Sequence, residues 1–162
     1  MAHRTPAGRR QAGVALLALL LVVAAMGAAL GAAGSVWQQV QQRARERELL
    51  FVGLQYRRAI RAYYEQSPAI KAYPPTLAAL LRDERFPGVR RHLRSPYRDP
   101  LSHGGEWGLV LAPDGGIMGV YSQAAGQPIR RANFPAELGW VGGRPSYGDW
   151  QFIYLPAIRP GG

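Results

Sequence analysis

Few residues of this chain have side chains that could do chemistry. Its three histidines are His3, near the N-terminus, and His92 and His103, both in Arg- and Gly-rich stretches that read as loops. Asp99, Ser102 and His103 supply the side-chain types of an acid–nucleophile–base relay. They crowd into one short stretch, however, and such a relay is set by spatial orientation that near neighbours in sequence do not readily adopt. A zinc centre needs three or four ligands, and two histidines without a cysteine fall short. Calcium takes six to eight oxygens, several from carboxylates, whereas the acidic residues after Pro113 are only Asp114, Glu137 and Asp149, widely spaced. Gly115-Gly116 belongs to no phosphate-loop pattern and reads as a turn supported by Asp114. The expectation is a protein without catalytic residues, metal or cofactor.

The 162 residues suit one modest domain. The net charge is +10, from 20 Lys and Arg against 10 Asp and Glu, and Lys71 is the sole lysine. The absence of cysteine excludes disulfides, thiolate metal sites and thiol nucleophiles. Arg90, Arg91, Arg94 and Arg98, beside Tyr97, form the one candidate patch for nucleic acid, since phosphate attraction needs only clustered positive charge. The plainer reading is a solvated loop or a surface for acidic neighbours or lipid headgroups, and nucleic acid is disfavoured as a partner.

What the charge total hides is its distribution. No charged residue occurs from Gln11 to Gln42, and Val14–Ala33 is an unbroken run of Val, Ala, Leu, Met and Gly. At about 1.5 Å per residue this run would rise roughly 30 Å, the hydrocarbon thickness of a bilayer, and a lone span in lipid has to be helical. His3, Arg4, Arg9 and Arg10 precede it; Arg43, Arg45 and Arg47 follow, interleaved with Glu46 and Glu48. Three readings fit: a signal anchor, a secretory signal cut before Gly34 (with Arg9-Arg10 as a faint twin-arginine feature), and a short basic leader cut immediately before the apolar run. The apolar run exceeds the usual secretory core, which argues against the second.

The third reading carries a resemblance. Arg9-Arg10-Gln11-Ala12-Gly13, abutting Val14, resembles the leader of type IV pilins and type II secretion pseudopilins. In that family a prepilin peptidase cuts after the Gly and methylates the new N-terminus, while the apolar helix is retained. Val14 stands where the family usually has Phe, and Ala18 where it usually has a Glu that pairs with a neighbouring subunit's terminal amine. The resemblance implies processing at Gly13 and Val14, and a filament core built from Val14, Leu16, Leu17, Leu20, Leu21, Val23 and Leu30. It also implies a non-enzymatic role as a structural subunit of a type II secretion pseudopilus or a related pilus-like machine. The partners would be other pseudopilins, the prepilin peptidase, the inner-membrane assembly platform and the lipid bilayer. The implied location is the bacterial inner membrane, single-pass, with the C-terminal domain periplasmic. The alternatives are a membrane-anchored or secreted periplasmic binding module, and a minor pilin that binds DNA.

The elements that must support such a role follow in order. Leu49, Val52, Tyr56, Ala59, Ile60 and Tyr63 lie at helical spacing on one face, while Arg47, Arg57, Arg58 and Arg61 fall mostly on the other, where a solvated surface is expected. No proline interrupts between Val14 and Gln66, so one helix is predicted from Val14 to about Tyr64, with Gly53 tolerated at about 1 kcal/mol and Ser67-Pro68 ending it. Thr76 is predicted to cap a short helix carrying Leu77, Leu80 and Leu81, with Pro87-Gly88 as its stop. Glu106–Ala112 and Ile117–Ser122 read as a hairpin about Pro113–Gly116. Residues 123–148 read as a long loop, and Asp149–Leu155 as a last strand covered on both faces. The phrase YPPTLAALLRDERF and the order Asp99-Pro100, Trp-bearing strand, hairpin are similar to pseudopilins. The expected fold is α+β, a long helix (transmembrane, then amphipathic) packed on a small antiparallel sheet in a pilin-like lollipop. Its expected divisions are a leader over 1–13, a transmembrane helix over 14–34, its periplasmic continuation over 35–66 and a globular domain over 67–162.

Overall fold

An uninterrupted run of helix-compatible residues gives an uninterrupted helix. The computed structural model describes residues 8–156, with side-chain surroundings given for 13–28 and 36–156. Helix α1 spans Gly8–Glu65, 58 residues. The chain divides into two compact units at Gln41/Gln42, and α1 runs through the division.

In the first unit every residue from 13 to 28 is exposed. The expected transmembrane segment is not found: among the described residues no helix is long and apolar enough to cross a membrane. The transmembrane-then-amphipathic helix and the lollipop built on it are therefore withdrawn, and the single-pass placement loses its support. His3 and Arg4 lie outside the described residues, as do the side chains of Arg9, Arg10 and Leu30.

The second unit is α+β. Leu49, Val52, Tyr56, Ala59, Ile60 and Tyr63 are all buried along one face of α1. The helix ends where Pro68 cannot donate: the Gln66 amide still reaches the Ala62 carbonyl at 3.0 Å, and the Ser67 amide makes a tighter turn to Tyr64. Thr76 Oγ1 accepts from the Ala79 amide, capping a 3₁₀ helix over Leu77–Leu80. This helix stops well before Pro87, because the Leu80 carbonyl accepts from the His92 and Leu93 amides (2.8 and 2.9 Å) instead of continuing a helical ladder.

A three-stranded antiparallel sheet has the order β1 (Trp107–Leu111), β2 (Ile117–Ser122), β3 (Phe152–Ile153). The β1–β2 turn closes through Ala112 and Gly116, whose backbones meet at 2.8 Å, while Asp114 Oδ1 accepts from the Gly116 amide. Gly115 takes φ of 83° there, a conformation open to glycine. The predicted strand over Asp149–Leu155 shrinks to two residues, because Tyr147–Asp149 forms a 3₁₀ turn closed by a reciprocal Ser146–Asp149 capping box. A further 3₁₀ segment, Ala136–Val141, lies within the predicted loop and buries Leu138 and Val141.

Helix and sheet approach closely at Gly53. A Cβ built there would lie 2.4 Å from the Phe152 ring, which is itself fully buried and has nowhere to retreat. Gly53 is thus a packing requirement. Alanine, intrinsically better in a helix by about 1 kcal/mol, is expected to lose on balance, by about 1–3 kcal/mol of overpacking. Urea unfolding of Gly53→Ala measures this; a variant as stable as the parent would mean that Phe152 does not sit against the helix.

Candidate functional site

The described residues offer two kinds of site: an unpartnered apolar helix surface, and polar clusters within the second unit. On the first, Val14, Leu16, Leu17, Leu20, Leu21 and Val23 are all largely exposed, Val14 at 67%. Together with the exposed Leu19, Val22 and Met26 they surround the helix, so no face of this stretch is polar. A Cβ added at Gly13 would meet nothing within 4 Å. This surface can do nothing but pack, and a helix apolar on all sides is one that is buried by something.

The second unit buries three carboxylates, and each ties a loop to the scaffold. Glu46, on α1, is 1% exposed. Its Oε1 accepts from the Ile129 amide (2.6 Å) and from the Tyr147 hydroxyl (2.7 Å), and its Oε2 accepts from the Arg130 amide (3.1 Å). Burial foremost, with the donated bond to Glu46 adding to it, pushes the Tyr147 phenol up to about 12. Asp83 accepts from Arg85 Nε (2.8 Å), Nη2 (2.7 Å) and backbone amide (3.1 Å), and lies 2.9 Å from His92 Nε2. The Arg85 guanidinium also lies 3.5 Å over the Tyr63 ring and donates to the Tyr63 carbonyl. Asp99 accepts from Ser122 Oγ (2.6 Å) and from the Leu101 amide (2.9 Å).

These clusters redistribute the residues that the sequence singled out. His92, read as a loop residue, has its ring packed against Tyr63 and beside Asp83. Asp99 is paired with Ser122; His103 is exposed and makes no hydrogen bond to Asp99 or Ser102 among the described residues. Among the same residues, no group of three or more His, Asp or Glu could hold a metal ion. Arg57 leaves the expected solvated face: it donates to the Ile153 and Glu137 carbonyls at 2.8 and 2.9 Å and stacks 4.6 Å from the Trp140 ring. Arg58 and Arg61 do stay exposed, in ion pairs with Glu137 and Glu65. In the predicted basic patch, Arg91, Arg94 and Arg98 are exposed, while Arg90 is held by Gln66 and lies over Phe86. Sequence reasoning missed Glu46 and Asp83 altogether. Glu46 alternates with Arg45 and Arg47 in what reads as a charged helix face, although it lies three positions before Leu49, on the buried stripe.

No family model, no curated protein and no solved structure matches this chain.

Arg85, through its hydrogen bonds, holds the Asp83 carboxyl well below the usual carboxylate range, against the opposing effect of burial. A depressed value stabilises the fold above the unfolded carboxyl's value of about 3.9, and that stability is lost as the pH falls toward the folded value. Asp83→Asn is therefore expected to cost about 3 kcal/mol at neutral pH, by leaving Arg85 without its charge partner. The gap from the parent should narrow as the pH drops below about 4. Urea unfolding at neutral and at acid pH reads both effects; a gap independent of pH would exclude the carboxylate as its source.

Proposed function

We propose that this chain is a non-enzymatic, pilin-like structural subunit of the type II secretion pseudopilin kind, cut after Gly13 and assembled with other such subunits through the N-terminal part of α1. The observation that carries the reading is the surface of Val14–Met26, apolar on every side and exposed throughout. Contiguous apolar area on this scale marks an interaction surface. Identical or related helices, side by side, are a chemically matched cover for it, with lipid as the alternative cover before assembly. Heterologous contacts that do not close on themselves extend into a filament. In this reading the prepilin peptidase exposes the Val14 amine, an inner-membrane platform delivers the subunit, and the second unit faces the periplasm on the outside of the filament. The leader pattern Arg9–Gly13 gives the reading its family.

The deciding experiment is mass spectrometry of the N-terminal peptide from cells with and without the prepilin peptidase. The expected mature chain begins at an N-methylated Val14 and is absent without the peptidase. Gly13→Val should slow processing by about a hundredfold or more, since misplacing a scissile bond by about 1 Å is enough for that. Because a side chain at position 13 meets nothing in the fold, such a loss would report on the peptidase and not on folding. A terminus at Gly34, or Val14 processing in the peptidase-null strain, would sink the assignment.

Ala18 supplies a second test. It is exposed, so Ala18→Glu introduces a carboxylate without disturbing packing within the chain. Where a neighbouring subunit's terminal amine pairs with it, cross-linked filament incorporation on overproduction should rise. Unchanged incorporation would mean that no amine reaches position 18.

A further inference from the structure

The latch made by Glu46 has a consequence at the surface. By accepting the amides of Ile129 and Arg130, it fixes the loop 129–133 against α1. This brings Arg131 into one groove with Arg43 and Arg47, which lie one helical turn apart on α1. Arg43, Arg47, Arg130 and Arg131 then line one groove of about 550 Å³ together with Glu46.

The charges in this groove are not balanced. Glu46 is its one carboxylate, and both Glu46 oxygens already accept hydrogen bonds from the loop amides and Tyr147. Three arginines elsewhere in the second unit are matched with acids: Arg58 with Glu137, Arg61 with Glu65, and Arg85 with Asp83. Among the described residues none of the four groove arginines lies in such a pair. Arg130 turns back, donating to the Ala132 and Asn133 carbonyls and lying 5.0 Å over the Phe134 ring. Arg43, Arg47 and Arg131 are exposed. Arg43, Arg47 and Arg131 line one concavity, with Arg47 Nε also reaching the Arg43 carbonyl at 3.4 Å, and guanidiniums offer donors in planar forks that suit the oxygens of a phosphate group.

We propose that this groove is a phosphate-binding site, filled by a phosphate ester or diester held by Arg43, Arg47 and Arg131. The site stands apart from the filament reading, since it involves no residue of the apolar surface. Two sources share the chemistry: a phospholipid headgroup, and a free or small-molecule phosphate. Fixing the loop through a buried carboxylate pre-organises the donors, so that binding does not bear the cost of ordering the loop.

The test is isothermal titration of the purified full chain with inorganic phosphate and with glycerophosphoglycerol, a soluble diester headgroup. Flotation with phosphatidylcholine vesicles, with and without phosphatidylglycerol, distinguishes the lipid source. The apolar helix sets the baseline on pure phosphatidylcholine, so only the increment from the anionic lipid is read. The triple variant Arg43→Gln, Arg47→Gln, Arg131→Gln is expected to lose affinity by about tenfold or more, as removal of charge-assisted hydrogen bonds does. Arg82→Gln, Arg91→Gln, Arg94→Gln removes the same charge from exposed positions elsewhere and should stay within about twofold, because screened charge at a distance contributes little. All six positions are exposed, and far-ultraviolet circular dichroism checks that both variants fold. Binding of either soluble phosphate, or an anionic-lipid increment, that is lost only in the first triple variant supports the site and names its source. Equal losses in both triples, or no binding of any probe by the parent, overturn it.

Discussion

Everything in the second unit rests on how closely a two-residue strand can lie against a helix. β3 is short and contributes little ladder of its own: its pairing with β2 covers Gly119–Ile153 and Val120–Phe152. Phe152 instead places its ring where α1 lacks a side chain, at Gly53. From there the ring stands edge-on to Trp107 of β1, and Trp107 stands edge-on to Tyr56 of α1. Helix, first strand and last strand thus meet in one aromatic chain whose starting point is a missing methyl group. Aromatic pairs in such edge-on geometry contribute about 0.5–1.5 kcal/mol each beyond their buried area, and they position the sheet as well as stabilise it.

The buried charges follow a single logic. A carboxylate withdrawn from water is tolerated only when its lone pairs are satisfied. Glu46, Asp83 and Asp99 each achieve this largely with backbone amides or a neighbouring polar side chain, and in each case at least one donor comes from a segment outside helix and sheet. Asp83 and His92 hold the turn between the short 3₁₀ helix and the arginine-rich loop; Asp99 holds the approach to β1; Glu46 and Tyr147 hold the approach to β3. The acidic residues of this unit therefore do the work that longer strands would do in a larger domain. This is also why Asp99 is unsuited to a relay with Ser102 and His103, since both its oxygens already accept hydrogen bonds from Leu101 and Ser122.

Periodicity made much of this readable in advance. The helix stripe from Leu49 to Tyr63, the Thr76 cap and the hairpin about Asp114 depend on neighbours a few positions away, and each was visible as a spacing. The β3 region was not, because the Ser146–Asp149 capping box and the buried Trp150 replace an alternating pattern that looks like strand. Nor was the role of Glu46, whose charge suggested solvent while its position three residues before Leu49 put it on the buried face. The membrane span rests on the run of uncharged apolar residues alone, and among the described residues no helix is long and apolar enough to cross a membrane. Arg57 illustrates the same limit: its type suggested solvent, whereas the carbonyls that hold it come from positions 137 and 153, far away in sequence.

A last constraint concerns the apolar surface that begins at Val14. Burying a leucine or valine side chain contributes about 1.5–3 kcal/mol, so covering the exposed large apolar residues from Val14 to Met26 would contribute free energy at least comparable with a single domain's net stability of about 5–15 kcal/mol. A surface with that much unrealised burial is not indifferent to its surroundings, and its charge-free composition discriminates poorly among apolar covers. Selectivity must then come from features outside it. Within this chain the candidates are the amine that cleavage at Gly13 would release, with no carboxylate at position 18 to receive it in an identical neighbour, and the unmatched arginines beyond the apolar stretch. Under the proposed filament reading, the missing carboxylate at position 18 would favour a neighbour different from this chain.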